Sequence, residues 1–310
     1  MPGCWARGPS RSTCDGERGK PVSAAVSAPA GQETAAREAR SRRRPPRRWG
    51  RFLLPAYSWL VIAYLVFPIA VMVLYSFNKV TTGLPQVSFA WNGFTTQWYQ
   101  QWNNISGLTS AFWLTIRLGL ASTLLSTVVG TLLALALVRY RPPRLRGKAM
   151  LEQVLFLNIA APEIVLGASL LGLFVTINFA RGFTTLLLAH VAFSIAYVTV
   201  TVRARMAGFD RSLEEAAQDL GANPWVTFRK VTLPLIMPGV LAGALMAFAL
   251  SIDDFVTSNF VSGAAVPFPV WVYGATRIGI PPQVFVFGTA IFGVGILCAI
   301  SSIVVGRRKA

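Results

Sequence analysis

Six stretches of this chain contain no Asp, Glu, Lys or Arg: Leu53 to Asn78, Leu118 to Val138, Ile164 to Ala180, Gly182 to Val202, Thr232 to Ile252 and Ile278 to Gly306. A run of about 18 apolar residues is long enough to cross a hydrocarbon layer about 30 Å thick. All six meet or nearly meet that length. Buried helices of a large soluble protein would account for one or two such runs, not for six in 310 residues. Only 13% of the chain is charged, against about a quarter in soluble domains. The expectation is an all-α integral membrane protein with six transmembrane helices.

The charges that remain are unevenly placed. The chain has 29 Lys or Arg and 12 Asp or Glu, a net charge of +17. In a soluble protein such an excess points to a nucleic-acid partner. Here the basic residues gather in residues 1–51, in Arg139 to Lys148, in Arg203 to Lys230 and at Arg307 to Lys309. Connections rich and poor in basic residues therefore alternate. Basic connections stay on the cytoplasmic side, so both termini are expected inside a bacterial-type plasma (inner) membrane, with no nucleic acid bound. Cys4, Cys14 and Cys298 form neither a disulfide framework nor a zinc pattern. One histidine, His190, is too few for a metal site and is expected to make an interhelical hydrogen bond.

Residues 1–51 are rich in Arg, Ser, Ala, Gly and Pro and lack the apolar surface to fold. They read as a disordered basic cytoplasmic tail that anchors topology and touches membrane lipid. Residues 52–306 form the transmembrane domain, and 307–310 a short basic cytoplasmic end. Its spans are expected near Pro55–Phe77, Ala111–Val138, Leu151–Thr176, Thr184–Val202, Leu235–Val256 and Val284–Val305. Pro162 and Gly167 predict a kink in the third. The segment Asn78 to Ser110, with Trp91, Trp98, Tyr99 and Trp102, lies outside; its aromatics suit an interface.

One polar connection is long enough to work on the inner side, residues 203–234. Within it, Glu214, Glu215, Gln218 and Asp219 alternate with Ala216, Ala217 and Leu220, a short amphipathic helix. Gly221 permits a turn or the close approach of another chain, and Pro234 opens the next span. A short helix with small residues, pinned between two spans, suits docking into a groove of another protein.

The order Glu215-Ala216-Ala217, Gly221, Val231, Leu233-Pro234 resembles the signature loop of ATP-binding-cassette importer permeases, with Val231 where Ile is common. The resemblance covers about residues 52–306. It implies a type I importer permease fold and a loop, residues Glu214 to Pro234, that docks on a cytoplasmic ATPase dimer. ATP and Mg would be bound by that partner. This chain has no Gly-rich loop ending in Gly-Lys-Ser/Thr, and no cofactor of its own is expected.

Further stretches are similar to the polyamine (spermidine/putrescine) branch, in particular to the second permease of that system. They are Asn92 to Tyr99, Ala161 to Val165, Leu250 to Val256 and Phe260 to Gly263. This likeness implies a sister permease and an external or periplasmic polyamine-binding protein. Acids in membrane segments are costly and usually face a partner or a pathway. Glu163, Asp253 and Asp254 are therefore candidate stations for a cation, with Tyr197 as an aromatic one. The competing account of the acids is a salt bridge to Arg117 or the capping of a broken helix. Importers of iron, phosphonate or amino acids share the scaffold, and an ion-driven secondary transporter is a further alternative. Catalysis is not expected: neighbouring helix positions such as Asp253 and Asp254 point about 100° apart, and no nucleophile–base set accompanies them.

Overall fold

The computed structural model describes residues 50–80, 90–139 and 147–307. The expected basic tail lies outside them except for Gly50 and Arg51, which open the first helix. The centre of the basic turn, residues 140–146, and residues 308–310 also lie outside.

The described residues divide between Ala63 and Tyr64 into two units. The first helix, α1 (Gly50–Tyr75), is 26 residues long. From Leu53 onward it exposes large apolar side chains such as Leu54, Tyr57 and Trp59, and Ser58 donates its hydroxyl back to the Leu54 carbonyl at 2.9 Å.

The unit from Tyr64 onward contains a short α2 (Gln97–Gln100), a long α3 (Ser106–Arg139), the pair α4 (Lys148–Ala160) and α5 (Glu163–Thr176), and α6 (Phe183–Met206). Next come α7 (Ser212–Asp219), α8 (Pro224–Thr227), a π-helical turn (Phe228–Thr232) and α9 (Leu233–Asp253). The chain then forms α10 (Val256–Val261), α11 (Phe268–Ala275) and α12 (Gln283–Arg307). No strand is present among the described residues, only an isolated bridge between Asn78 and Phe94.

Four stretches are long and apolar enough to cross a bilayer: Leu53–Tyr75, Ser106–Arg139, Phe183–Met206 and Pro224–Asp253. The α4–α5 pair makes a fifth if it is one span. The expected sixth falls on α12, of which Gln283–Leu297 is a shorter apolar helix, so the described residues hold four or five spans rather than six.

The core lies where α3, α6 and α9 meet. Ala134 and Leu135 pack against Val198, Val202, Met206, Ile236 and Ala247, all buried. Leu-, Val- and Ala-rich sequence makes these helices; small residues let their backbones approach. A Cβ on Gly130 would stand 2.8 Å from Val198, and one on Gly243 would stand 3.3 Å from the Val198 Cα. Replacing Gly130 with Leu forces α3 away from α6. Overpacking of this kind costs about 1–3 kcal/mol. We expect Gly130→Leu to lower the thermal unfolding midpoint of detergent-purified protein by several degrees, with Gly172→Leu, whose Cβ would meet open space, as the unaffected control.

Two boundaries depart from expectation with consequences for the site. The third span was expected to be continuous with a kink. Instead the chain turns by 109° between α4 and α5, at Ala161 and Pro162, both in extended conformation. Pro162 has no amide hydrogen and disfavours helical geometry in the residue before it, so one turn of hydrogen bonding is lost. Glu163, expected a dozen residues into a span, becomes the first residue of α5. The fifth span likewise ends earlier than Val256, at Asp253, where Asp254 adopts an extended conformation before α10 begins.

Candidate functional site

Two places carry the chemistry. The first is the connection between α6 and α9. Asp210 opens α7 by accepting the Ser212 amide at 2.9 Å, and the Ser212 amide and hydroxyl hold its carboxyl below the usual carboxylate range. At the other end of α7, the Ala222 amide donates to the Ala217 carbonyl at 3.0 Å and the Gly221 amide to the Gln218 carbonyl at 2.9 Å. With Gly221 at φ +84°, this is a left-handed Schellman stop. Asn223 then caps α8, accepting the Val226 amide at 2.8 Å.

The result is a compact elbow that offers apolar surface. Leu220 is 89% and Trp225 66% exposed, with Leu213 also exposed. A shallow hollow of about 320 Å³ beside it is lined by Ala217, Leu220, Gly221, Val226, Lys230 and Val231. Of the other predicted loop residues, Glu215, Ala216, Asp219 and Pro234 are exposed, and Leu233 packs on the core of α3, α6 and α9.

Glu214 has a different job. Its carboxylate accepts from the Arg139 guanidinium and from the Thr232 hydroxyl, and Arg139 also donates to Thr232 Oγ1 at 3.0 Å. Arg211 adds a bond to the Val138 carbonyl at 2.8 Å. The elbow is thereby tied to the end of α3 and to the start of α9. Sequence reasoning placed Arg139 in a basic turn and missed this tie; one acid of several on a short helix, facing a helix-end Arg far away in sequence, gives no local signal.

The second place is a cavity of about 260 Å³ at the two helix breaks. It brings together Glu163, Tyr197, Asp253 and Asp254, the four candidate pathway residues, with Asn158, Phe193 and Phe255. The residues come from five segments: α4, the start of α5, the middle of α6, the end of α9 and the break between α9 and α10. The breaks are what make this possible, because a continuous third or fifth span would carry the acids past one another. Asn158 was not anticipated. Its amide nitrogen donates to the Ala192 carbonyl at 3.3 Å, and its Oδ1 is buried without a partner among the described residues.

The two adjacent aspartates differ. Asp253 is exposed and has no salt bridge among the described residues. The Asp254 side chain is only 6% exposed and accepts the Thr257 amide at 3.2 Å and the Ser258 amide at 2.8 Å, closing the first turn of α10. The alternative of a salt bridge to Arg117 is not what the structure contains. Helix capping accounts for Asp254, and its near neighbour is His190 Nε2 at 3.4 Å. His190, fully buried, makes the expected interhelical bonds, to Ser251 at 2.7 Å and to Ser258 at 3.0 Å. Three carboxylates around one small cavity repel one another and favour the entry of positive charge. The set of acid, amide oxygen and aromatic faces can hold an alkylammonium group by charge, hydrogen bond and cation–π contact.

Comparison with known proteins agrees with this architecture. The family described as binding-protein-dependent transport system inner membrane component matches residues 126–307. The chain is 38% identical over 259 residues to the spermidine/putrescine transport system permease protein PotC of Haemophilus influenzae, covering 83% of this chain and 98% of that protein. It is 36% identical over 258 residues to the putrescine transport system permease protein PotI of Escherichia coli, covering 81% and 89%. A bacterial alginate ABC transporter, solved with an alginate-bound periplasmic protein, has a chain of the same fold (TM-score 0.61, 14% identity, 84% of this chain and 94% of that one). With an all-helical architecture, a sharp bend between α4 and α5 and an elbow before α9, the chain belongs to the family of binding-protein-dependent transport system inner membrane components, the permease subunits of ABC importers.

Proposed function

We propose that this chain is the permease subunit of an ATP-driven importer that carries polyamines, spermidine or putrescine, inward across the plasma membrane. The observation that carries the solute class is the convergence of Glu163, Asp253 and Asp254 with Tyr197 on one cavity. Those acids come from a chain with 12 in all. A polyamine is a string of ammonium groups and methylenes, and a cluster of carboxylates with aromatic walls matches both parts. The relatives named for spermidine and putrescine transport support the same choice.

In this reading the elbow, Glu214 to Pro234, faces the cytoplasm and docks on an ATPase dimer through Leu213, Leu220, Trp225 and the hollow at Gly221. The ATPase binds ATP and Mg; this chain holds no cofactor. The ties from Glu214 to Arg139 and Thr232 pass the motion of the ATPase to α3 and α9. A sister permease completes the pathway, and a binding protein delivers the amine from outside. Both termini are cytoplasmic.

The test is uptake of radiolabelled spermidine and putrescine by cells that lack this chain and by cells in which it is restored. We expect loss of at least tenfold on deletion and full recovery on restoration. Unchanged uptake of both amines in the deleted strain would end the polyamine reading.

A further inference from the structure

His190 sits behind the cavity, fully buried, in a polar chain that crosses the bundle. Ser122 on α3 donates to the Ser251 hydroxyl at 3.0 Å. Ser251 on α9 lies 2.7 Å from His190 Nδ1. His190 Nε2 lies 3.0 Å from the Ser258 hydroxyl on α10 and 3.4 Å from Asp254 Oδ2. The Ser122 hydroxyl also reaches the Gly119 carbonyl at 3.2 Å. The two ring nitrogens of His190 thus bridge Ser251 on α9 to Ser258 on α10 and to Asp254 at the break between those helices.

We propose that His190 is a positioning residue for transport: it holds Asp254 at the α9–α10 break, so that Asp253 alone of the pair is free to meet the cation. This inference rests on the amine-import reading above. Asp254 is already met by two backbone amides and the imidazole, whereas Asp253 is exposed on the same cavity and has no salt bridge among the described residues. Buried polar networks with all members satisfied fix a unique geometry, and partly satisfied ones are costly. Cutting this one at His190 leaves Ser251, Ser258 and Asp254 without their common partner. The break between α9 and α10 then loses its lock to α6, and the cavity loses its shape.

The experiment uses the assembled importer, with maximal putrescine uptake measured per mole of complex recovered from the membrane. His190→Leu keeps the bulk and removes both bonds; His190→Gln restores one donor and one acceptor. We expect His190→Leu to lower turnover at least tenfold, with the apparent KM for the loaded binding protein changed less than threefold, and His190→Gln to recover at least a third of the wild-type rate. If the leucine variant does not assemble, Ser251→Ala, which removes a single link, is expected to cut turnover about threefold or more in complex that assembles normally. In an Asp253→Asn background the His190→Leu effect should persist in full; in an Asp254→Asn background it should shrink to less than threefold. Wild-type turnover in His190→Leu would overturn the assignment, as would a glutamine variant as poor as leucine, or an equal effect in both aspartate backgrounds. The wild-type complex separates the two readings. If it takes up no amine, the polyamine reading fails; if it does and His190→Leu matches it, only the role of His190 falls.

Discussion

Replacing Gly221 with Asp is expected to abolish at least nine-tenths of transport while leaving the chain folded in the membrane. The position isolates docking from folding. Gly221 has φ +84°, where most L-residues are strained, yet Asp tolerates the left-handed region better than others, at a local cost of about 1–2 kcal/mol or less. The added Cβ would meet nothing within 4 Å. Within the chain the change is therefore mild. On the outer side it puts a carboxylate into the hollow lined by Leu220, Val226 and Lys230, where burial against a partner costs about 1–3 kcal/mol, less what the Lys230 ammonium returns. The measurement is ATP hydrolysis and amine uptake by reconstituted complex, together with the fraction of ATPase that copurifies. We expect uptake lost, copurification reduced and the thermal midpoint of the isolated chain lowered by no more than a few degrees. Full uptake in this variant would remove the elbow from the coupling role.

Asp253→Asn is expected to lower polyamine uptake ten- to a hundredfold, the second of the large effects. The substitution keeps size and shape and removes one negative charge from a cavity of about 260 Å³. A charge pair near 4 Å is worth about 4 kcal/mol at an effective dielectric of 20, before desolvation takes its share; a net loss of about 1.4–2.8 kcal/mol is the factor stated. Because Asp253 is exposed and caps no helix, the stability of the chain should not fall. A comparison of uptake with the thermal midpoint checks both halves of the statement. Normal uptake by Asp253→Asn would show that the free carboxylate is not a station on the path.

Much of this was readable from the chain alone, for identifiable reasons. Apolar runs without charge mark spans because the cost of burying a charge in lipid is large and local to each residue. The elbow was readable because its information is short-range: a glycine where the backbone must turn left-handed, a proline where the next helix starts. The meeting of Glu163 with Asp253 was not. These residues are ninety positions apart in sequence, and they meet because two helices break, one by 109°. Pro162 announced a kink but not its angle, which is set by what packs around it; Gly167, for example, lies so close to α10 that a Cβ would stand 2.7 Å from Phe260. The His190 chain was readable only as a generic polar contact, since its four partners come from α3, α9 and α10 and no spacing rule links them. The Glu214–Arg139 tie belongs to the same class, spanning 75 residues.

The π-helical turn Phe228–Thr232 carries a consequence of its own. A wide turn accommodates one residue more than an α-helical turn, and each residue of an α-helix advances the azimuth by about 100°. The stretch from Gly221 to Leu233 thus behaves as a phase shifter in a drive shaft. Its length sets the compass bearing at which Trp225 and Leu220 emerge, independently of what the intervening side chains touch. If the elbow docks as proposed, its fit to a partner is written partly in the winding of the backbone, and an elbow of the right composition but the wrong pitch would point past its socket.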